Sequence, residues 1–357
     1  MEITSTDQLA AYLEKNNIAF GSLDQLSGGN ANFVWRMTDG PGPGKSTIIK
    51  HAEAYVAASE FRMPLPVDRM DFEHLILSRL VTVLDRSAPV ITPECFRYDD
   101  ANHVLMLQDG GPRTLKAAYT DPSLDIQRIG RELGQWLATL HSRTTALDIG
   151  ENQTAKFGFR YSYSNLAATL QKYGLDPSVG ERVDKEYGNL LDTDDECVCH
   201  GDFWPGNVLI NGQDLMVVDW EMVRRGCGAK DIGQFAAEAW LLDRFRGGRG
   251  LLPAFLSGYC EDVKQRKDPD LCGAVKLGNE SLLRVATQMG SHLAFWPAHV
   301  HWGSEQETKE IIEQGFELLV RALAGDMGWF EVSILNRMLG GTGKLSVQET
   351  AGMVQSI

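Results

Sequence analysis

At 357 residues the chain is long enough for one large domain or two moderate ones, and its 43% apolar and 23% charged residues are ordinary for a folded globular protein. The formal charge of −14 argues against a general nucleic-acid binder, because phosphate backbones require clustered Lys and Arg. It leaves room for a nucleotide held by a few placed cations, and it weakly favours a cationic co-substrate. No apolar run approaches the roughly 18 residues of a membrane span, and the opening segment, Met1 to Asn17, lacks the basic head and apolar core of a signal peptide. Cys95, Cys197, Cys199, Cys227, Cys260 and Cys272 are scattered, which reads as reduced thiols in a cytoplasmic protein without a membrane or nucleic-acid partner.

In chain order, the pattern predicts a helix over Thr4 to Lys15, with Leu9, Tyr12 and Leu13 on one face. LDQLSGGNANFVWRM then reads as strand, glycine turn, strand, and STIIKHA as a third strand. VDRMDFEHLILSRLVTVL predicts a helix whose stripe is Met70, Leu75, Leu77, Leu80, Val81 and Leu84. CFRYDD and HVLMLQD predict two more strands. Beyond Gln108 the helical period dominates: DIQRIGRELGQWLATLHSRT, then 162–173, 179–192, and everything from Asp231 onward. A hairpin interrupts it, with Asn211-Gly212 as the turn, since both residues tolerate positive φ. The expectation is an α+β, two-lobed protein. Residues 1–109 form a small lobe of five strands plus helix, and 110–357 form a larger helical lobe.

The segment VCHGDFWPGNVLINGQDLMVVDWE, residues 198–221, carries the chemistry. Phosphoryl transfer needs a carboxylate to orient and deprotonate an acceptor hydroxyl, and oxygen ligands for a magnesium ion. Asp202, Asn207 and Asp219 supply them: five residues let one loop present Asp202 and Asn207 together, and the hairpin returns Asp219.

HGD-x4-N followed after twelve residues by Asp resembles the aminoglycoside phosphotransferase and choline kinase superfamily, whose fold is protein-kinase-like and whose cofactors are ATP and Mg²⁺. LSGGNANFVWRM, IIKHAE, DFWPGNVLI, VVDWE and FWPAHVHWGSEQE are similar to fungal methylthioribose-kinase-like small-molecule kinases, including those acting on 4-hydroxytryptamines. The resemblance implies Asp202 as catalytic base and Asn207 and Asp219 as metal ligands. It implies Lys50 paired with Glu73 at the phosphates, and a covering loop at Ser27, Gly28, Gly29 and Asn30. Gln108, Asp109 and Gly110 would form a hinge that meets adenine through backbone groups, with the nucleotide between the lobes. Glu221, in a D-x-E arrangement, would assist at metal or substrate. His200 would support the loop, and Asp231 would cap the next helix and steady the loop. Asn207 stands where methylthioribose kinases commonly place Ser, so a hydroxytryptamine, a methylthio-sugar, an amino alcohol and an aminoglycoside all stay open as acceptors. A protein Ser/Thr kinase lacks support, because no APE-like segment follows Asp219, and a nucleotide-binding pseudokinase would lack groups that are present here.

GPGPGKST, residues 40–47, has three residues between glycines where a P-loop needs four, and two prolines that remove donors, so it reads as a turn. Cys197, Cys199 and His200 crowd too closely for zinc and read as packing at the strand leading into the loop. HLAFWPAHVHWG, residues 292–303, reads as an aromatic-packed helix end or as a substrate wall. On the second reading Trp204, Trp296 and Trp302 would stack on a ring or cover a cation.

Overall fold

A computed structural model describes residues 2–27, 29, 31–40, 46–265 and 277–339. The chain divides into two compact units, Met1–Pro112 with Leu209–Val223, and Arg113–Val208 with Arg224–Ile357. The hairpin that the expected boundary leaves in the helical lobe therefore groups with the first unit.

The first unit begins with α1 (Thr6–Lys15). Ser5 and Gln8 form a reciprocal capping box, which starts the helix at Thr6 rather than Thr4. Five antiparallel strands follow: β1 (Leu23–Gln25), β2 (Phe33–Thr38), β3 (Ser46–His51), β5 (Cys95–Asp99) and β6 (Val104–Gln108), with a short β4 (Val90–Ile91) just before β5. The sheet order is β1-β2-β3-β6-β5. Leu9, Tyr12 and Leu13 of α1 pack with Trp35, Met37, Ile49 and Met106 in one core. The register places Lys50 opposite Val34 on one side and Leu105 on the other, in the middle of the sheet.

Helix α2 (Arg69–Leu80) is shorter than its apolar pattern suggests. The buried stripe is Met70, Ile76, Leu77 and Leu80, joined by Arg69 and Glu73, while Val81 lies past the end and is 40% exposed. Two buried charges on this helix need partners elsewhere, which a purely apolar stripe does not anticipate.

The second unit starts with β7 (Arg113–Thr114) and α3 (Leu115–Ala118), where the Thr114 side chain accepts from Ala117 N. Helix α4 (Ile126–Arg143) agrees with its sequence period. The stretch expected to be helical over 162–173 begins earlier, as α5 (Gln153–Ser164), and restarts at Asn165 as α6 (Leu166–Lys172). The stretch over 179–192 is α7 (Pro177–Val183), a π turn and a 3₁₀ turn in succession. Strand β8 (Cys197–Cys199) pairs with β11 (Arg224–Gly226). In sequence the hairpin strands β9 (Val208–Asn211) and β10 (Asp214–Val217) fall between β8 and β11, and Gly212 has φ 64° in the turn. Helices α8 (Ala229–Phe245), α9 (Leu251–Gln265), α10 (Asn279–Phe295), α11 (Glu305–Ala324) and α12 (Met327–Glu331) complete the unit. Among the described residues no helix is long and apolar enough to cross a membrane. Cys95, Cys197, Cys199, Cys227 and Cys260 are free thiols. The expected turn at 41–45 and Cys272 lie outside the described residues.

Candidate active site

In the first unit an ammonium ion is set among carboxylates. Lys50 Nζ donates to Glu73 Oε2 at 2.6 Å and to Asp219 Oδ1 at 2.5 Å, with Glu221 Oε2 at 3.8 Å. Burial alone lowers the pKa of Lys50, yet Asp219, Glu221 and Glu73 together raise it above its ordinary value. Glu73 is fully buried, and its other oxygen accepts from Trp220 N at 3.2 Å. Asp219 follows β10 in the left-handed region, φ 69° and ψ 62°, which an aspartate tolerates better than most side chains. Its side chain is 37% exposed, whereas those of Glu73 and Glu221 are almost wholly buried.

Two residues that the sequence reading did not single out complete this cluster. Asn32 Nδ2 donates to Glu221 Oε2 at 2.7 Å, and the fully buried Arg69 donates from Nε to the same oxygen at 3.1 Å and from Nη2 to Asn32 Oδ1 at 2.9 Å. An arginine in the first turn of an amphipathic helix normally reads as a surface charge, so nothing local announced it. Glu221 is thus directed at Arg69 and Asn32. Three carboxylates here face two cationic side chains. Oxygen atoms of Glu73, Asp219 and Glu221 lie within 4.8 Å of one another, a hard, anionic donor set that fits a magnesium ion.

Of the expected covering loop, Ser27 and Gly29 follow β1, while Gly28 and Asn30 lie outside the described residues. At the expected hinge, Gln108 ends β6 and its N–H is taken by Glu94 O at 2.8 Å. The Asp109 carboxylate binds Arg36 Nε at 2.6 Å, Ser46 Oγ at 2.7 Å and Gly111 N at 3.0 Å. Burial pushes the Asp109 pKa up, but Arg36 and Ser46 hold it below the usual range. Gly110 has no room for a side chain: a Cβ there would lie 2.7 Å from Met216 Sδ and 2.8 Å from Leu209 Cδ1.

In the second unit the loop after β8 is held by one acid. Asp231 accepts from His200 N at 2.7 Å and Gly201 N at 3.0 Å, and its Oδ2 lies 3.2 Å from His141 Nε2. Burial raises its pKa, but His141, His200 and the Gly201 N–H bring it below the ordinary carboxylate value. The expected helix cap is corrected here. Gly228 occupies the cap position of α8 without a side-chain bond, and Asp231, inside the first turn, is spent on the loop. Gly201 has φ 88°, which explains a glycine between His200 and Asp202. His200 Nδ1 accepts from Asp202 N at 3.2 Å, a support within the loop.

Asp202 itself is oriented by neutral donors. Oδ2 accepts from Asn207 Nδ2 at 3.0 Å and Trp204 Nε1 at 3.2 Å, and Oδ1 from Gln234 Nε2 at 2.6 Å. Asn207 Nδ2 also donates to Asp202 O at 2.9 Å. Gln234 was not anticipated. It lies three residues past Asp231 on α8, the helical spacing that brings both to the loop. Trp204 and Trp302 share a neighbour, Lys116, while Trp296 stands apart against His292 and Phe295. Cys197 and Cys199 are buried at the foot of the loop, as packing predicts, and their thiols lie near His141.

A family model described as "Phosphotransferase enzyme family" matches residues 22–269. The chain belongs to that family. It is accordingly a phosphotransferase with an alcohol acceptor. A 4-hydroxytryptamine kinase of Psilocybe cyanescens is 25% identical over 88% of this chain and 92% of its own length. A methylthioribose kinase of Escherichia coli is 19% identical over 60% of this chain and 56% of its own. Among solved structures, a choline kinase from Cryptosporidium parvum superposes with a TM-score of 0.52 at 11% identity, covering 90% of this chain and 97% of that one. This shows the kinase-like fold.

Proposed function

We propose that the protein transfers the γ-phosphoryl group of ATP to a hydroxyl of a small molecule, with Asp202 as the base. The observation that carries this reading is Lys50, buried and bonded to both Glu73 and Asp219. A lysine so held is poised to steady phosphate oxygens while carboxylates on the same cluster hold magnesium.

Each residue then has a task. Glu73 fixes the Lys50 ammonium. Asp219 and Glu73, with Glu221 behind them, are the groups that would hold the metal; when bound, it neutralises charge on the phosphates. Asn207 keeps Asp202 in one rotamer and is a further candidate ligand through its amide oxygen. Asp202 accepts a hydrogen bond from the acceptor hydroxyl, aligns its oxygen for in-line attack and takes its proton as the new P–O bond forms and ADP leaves. Positioning and charge neutralisation supply most of the acceleration, since the protein forms no covalent bond. The hydroxytryptamine and methylthioribose relatives favour an acceptor of metabolite size.

The test is ADP release across 4-hydroxytryptamine, methylthioribose, choline and an aminoglycoside, with magnesium and ATP. Asp202→Ala should lose turnover by about a thousandfold or more while keeping nucleotide affinity. Turnover that survives this change would sink the assignment of the base.

A further inference from the structure

The fold brings His141 of α4 to two cysteine thiols that the phosphoryl-transfer chemistry does not use. Cys197 and Cys199 stand two apart on β8, so both side chains leave the same face of the strand. Their Sγ atoms and a ring nitrogen of His141 all lie within 4.8 Å of one another, and all three side chains are buried. Around a tetrahedral zinc ion, two thiolates and an imidazole stand about 3.5–3.8 Å apart, given bonds of about 2.3 Å to sulfur and about 2.0–2.1 Å to nitrogen. The cluster is of the size that closes around such an ion.

The partners of the imidazole point the same way. Nε2 lies 3.2 Å from Asp231 Oδ2, and a nitrogen facing a carboxylate carries the proton. Nδ1 then keeps its lone pair, which accepts from the Tyr259 hydroxyl at 3.0 Å. A histidine that binds a metal through one nitrogen usually donates its other N–H to a carboxylate, which fixes the ring and raises its basicity. Asp231 already stands in that place.

Charge selects the ion. The bond to Cys199 lowers the Cys197 pKa, but burial and Asp231 raise it above its ordinary value. The bond to Cys197 and burial push Cys199 well above its own. Both thiols therefore hold their protons at neutral pH until a metal displaces them. A divalent ion that replaces two protons leaves the charge of the buried cluster unchanged, whereas a monovalent one would leave it more negative beside Asp231. Thiolate and imidazole ligands favour zinc over magnesium.

We propose that Cys197, Cys199 and His141 form a zinc site in the second unit, with His141 Nδ1 as the nitrogen ligand and Tyr259 Oη beside the fourth position. Two Zn–S bonds and one Zn–N bond form, two thiol protons leave to solvent, and nothing is oxidised or reduced. The bond from Tyr259 to Nδ1 gives way. The bond from Nε2 to Asp231 stays and strengthens, because the metal draws electron density from the ring. Asp231 is the acid that accepts from His200 N and Gly201 N, so the ion steadies the loop that carries Asp202. Its role is structural, and it takes no part in the transfer itself.

The probe is cadmium, which occupies zinc sites and reports thiolate ligands through an ultraviolet charge-transfer band. It is titrated into the reduced full chain with magnesium in excess for the carboxylates of the first unit. A single equivalent should raise a two-thiolate band that zinc then removes. Cys197→Ala with Cys199→Ala should abolish the band while keeping the turnover of the metal-free wild type. Zinc affinity, measured by chelator competition, should rise about a hundredfold per pH unit near neutrality, because two protons leave. Bound zinc should slow hydrogen exchange at His200 N and Gly201 N by about tenfold or more in wild type and leave it unchanged in the double variant. If that variant melts early, X-ray absorption on wild type with a single equivalent of zinc decides: two sulfur neighbours are expected, and a shell of nitrogen and oxygen alone overturns the site. A band missing from wild type, or undiminished in the double variant, overturns it as well. Exchange indifferent to bound zinc overturns the link to the loop.

Discussion

Lys50 in the first unit and Lys230 in the second are both buried, 6% and 8% exposed, yet their pKa values move in opposite directions. Three carboxylates surround Lys50 and raise its pKa. Lys230 donates to the neutral Tyr163 hydroxyl at 2.5 Å and lies 4.3 Å from that ring's centre. Burial lowers it to about 7, with Asp194 opposing and Arg224 and Arg284 adding to the fall. Desolvation always disfavours an ammonium; only facing anions reverse it. The first environment is suited to a cation that works at phosphates, and the second to an amine that serves packing.

The largest expected effect comes from removing the cation of the first environment. Lys50→Met leaves three buried or half-buried carboxylates against Arg69 alone and should cost about 3–5 kcal/mol in urea unfolding. Magnesium should restore part of that loss in the variant, and a loss indifferent to magnesium would break the assignment of the carboxylates as its ligands. Asp231→Asn comes next, because its amide NH2 must face one of the two backbone N–H groups that the carboxylate accepts from; about 2–3 kcal/mol of stability and most of the turnover should go. The Asp231 pKa is depressed, so its contribution is present above the unfolded value of about 4 and lost as pH falls through the folded value. Acid unfolding of this variant should therefore be less steep than that of the wild type.

The two lysines separate by pH. The raised pKa of Lys50 keeps its contribution fully present below the unfolded value of about 10.4, so Lys50 adds no slope across neutral pH. Lys230 has a folded pKa near 7, below its unfolded value, so the folded state binds fewer protons and stability rises with pH from about 7 to about 10. Lys230→Met should flatten that rise in thermal melts and gain about 1–2 kcal/mol at pH 7. A rise that persists in the variant would show that another group causes it. The smallest expected change is Trp204→Phe, which removes one donor from Asp202 and should lower kcat by about five- to tenfold.

What the sequence made legible was mostly local. The Asn211-Gly212 turn, the Ser5 end of α1 and the period of α4 are written in neighbouring residues. The HGD-x4-N spacing placed Asp202 and Asn207 in one loop because five residues cannot separate them far. Arg69 and Gln234 were not legible, since each acquires its role from a partner distant in sequence. Strands β8 and β11 have three residues each, too few to show a period of two. Helix α5 is carried by aromatic and small residues without a clear stripe, which hid its start. Asp231 looked like a cap because a short acid near a helix start usually is one.

The membership of Leu209–Val223 in the first unit bears on how the protein is made. A ribosome releases α1, the five-stranded sheet and α2 about a hundred residues before it releases Asp219 and Glu221, and nascent domains tend to fold as they emerge. During that interval Lys50 and Arg69 have no acidic partner beyond Glu73, and β4 waits for β10, its parallel neighbour. A gene fragment stopped after Pro112 should therefore yield an insoluble or loosely ordered product, whereas one that appends 209–223 through a short linker restores the missing counter-charges.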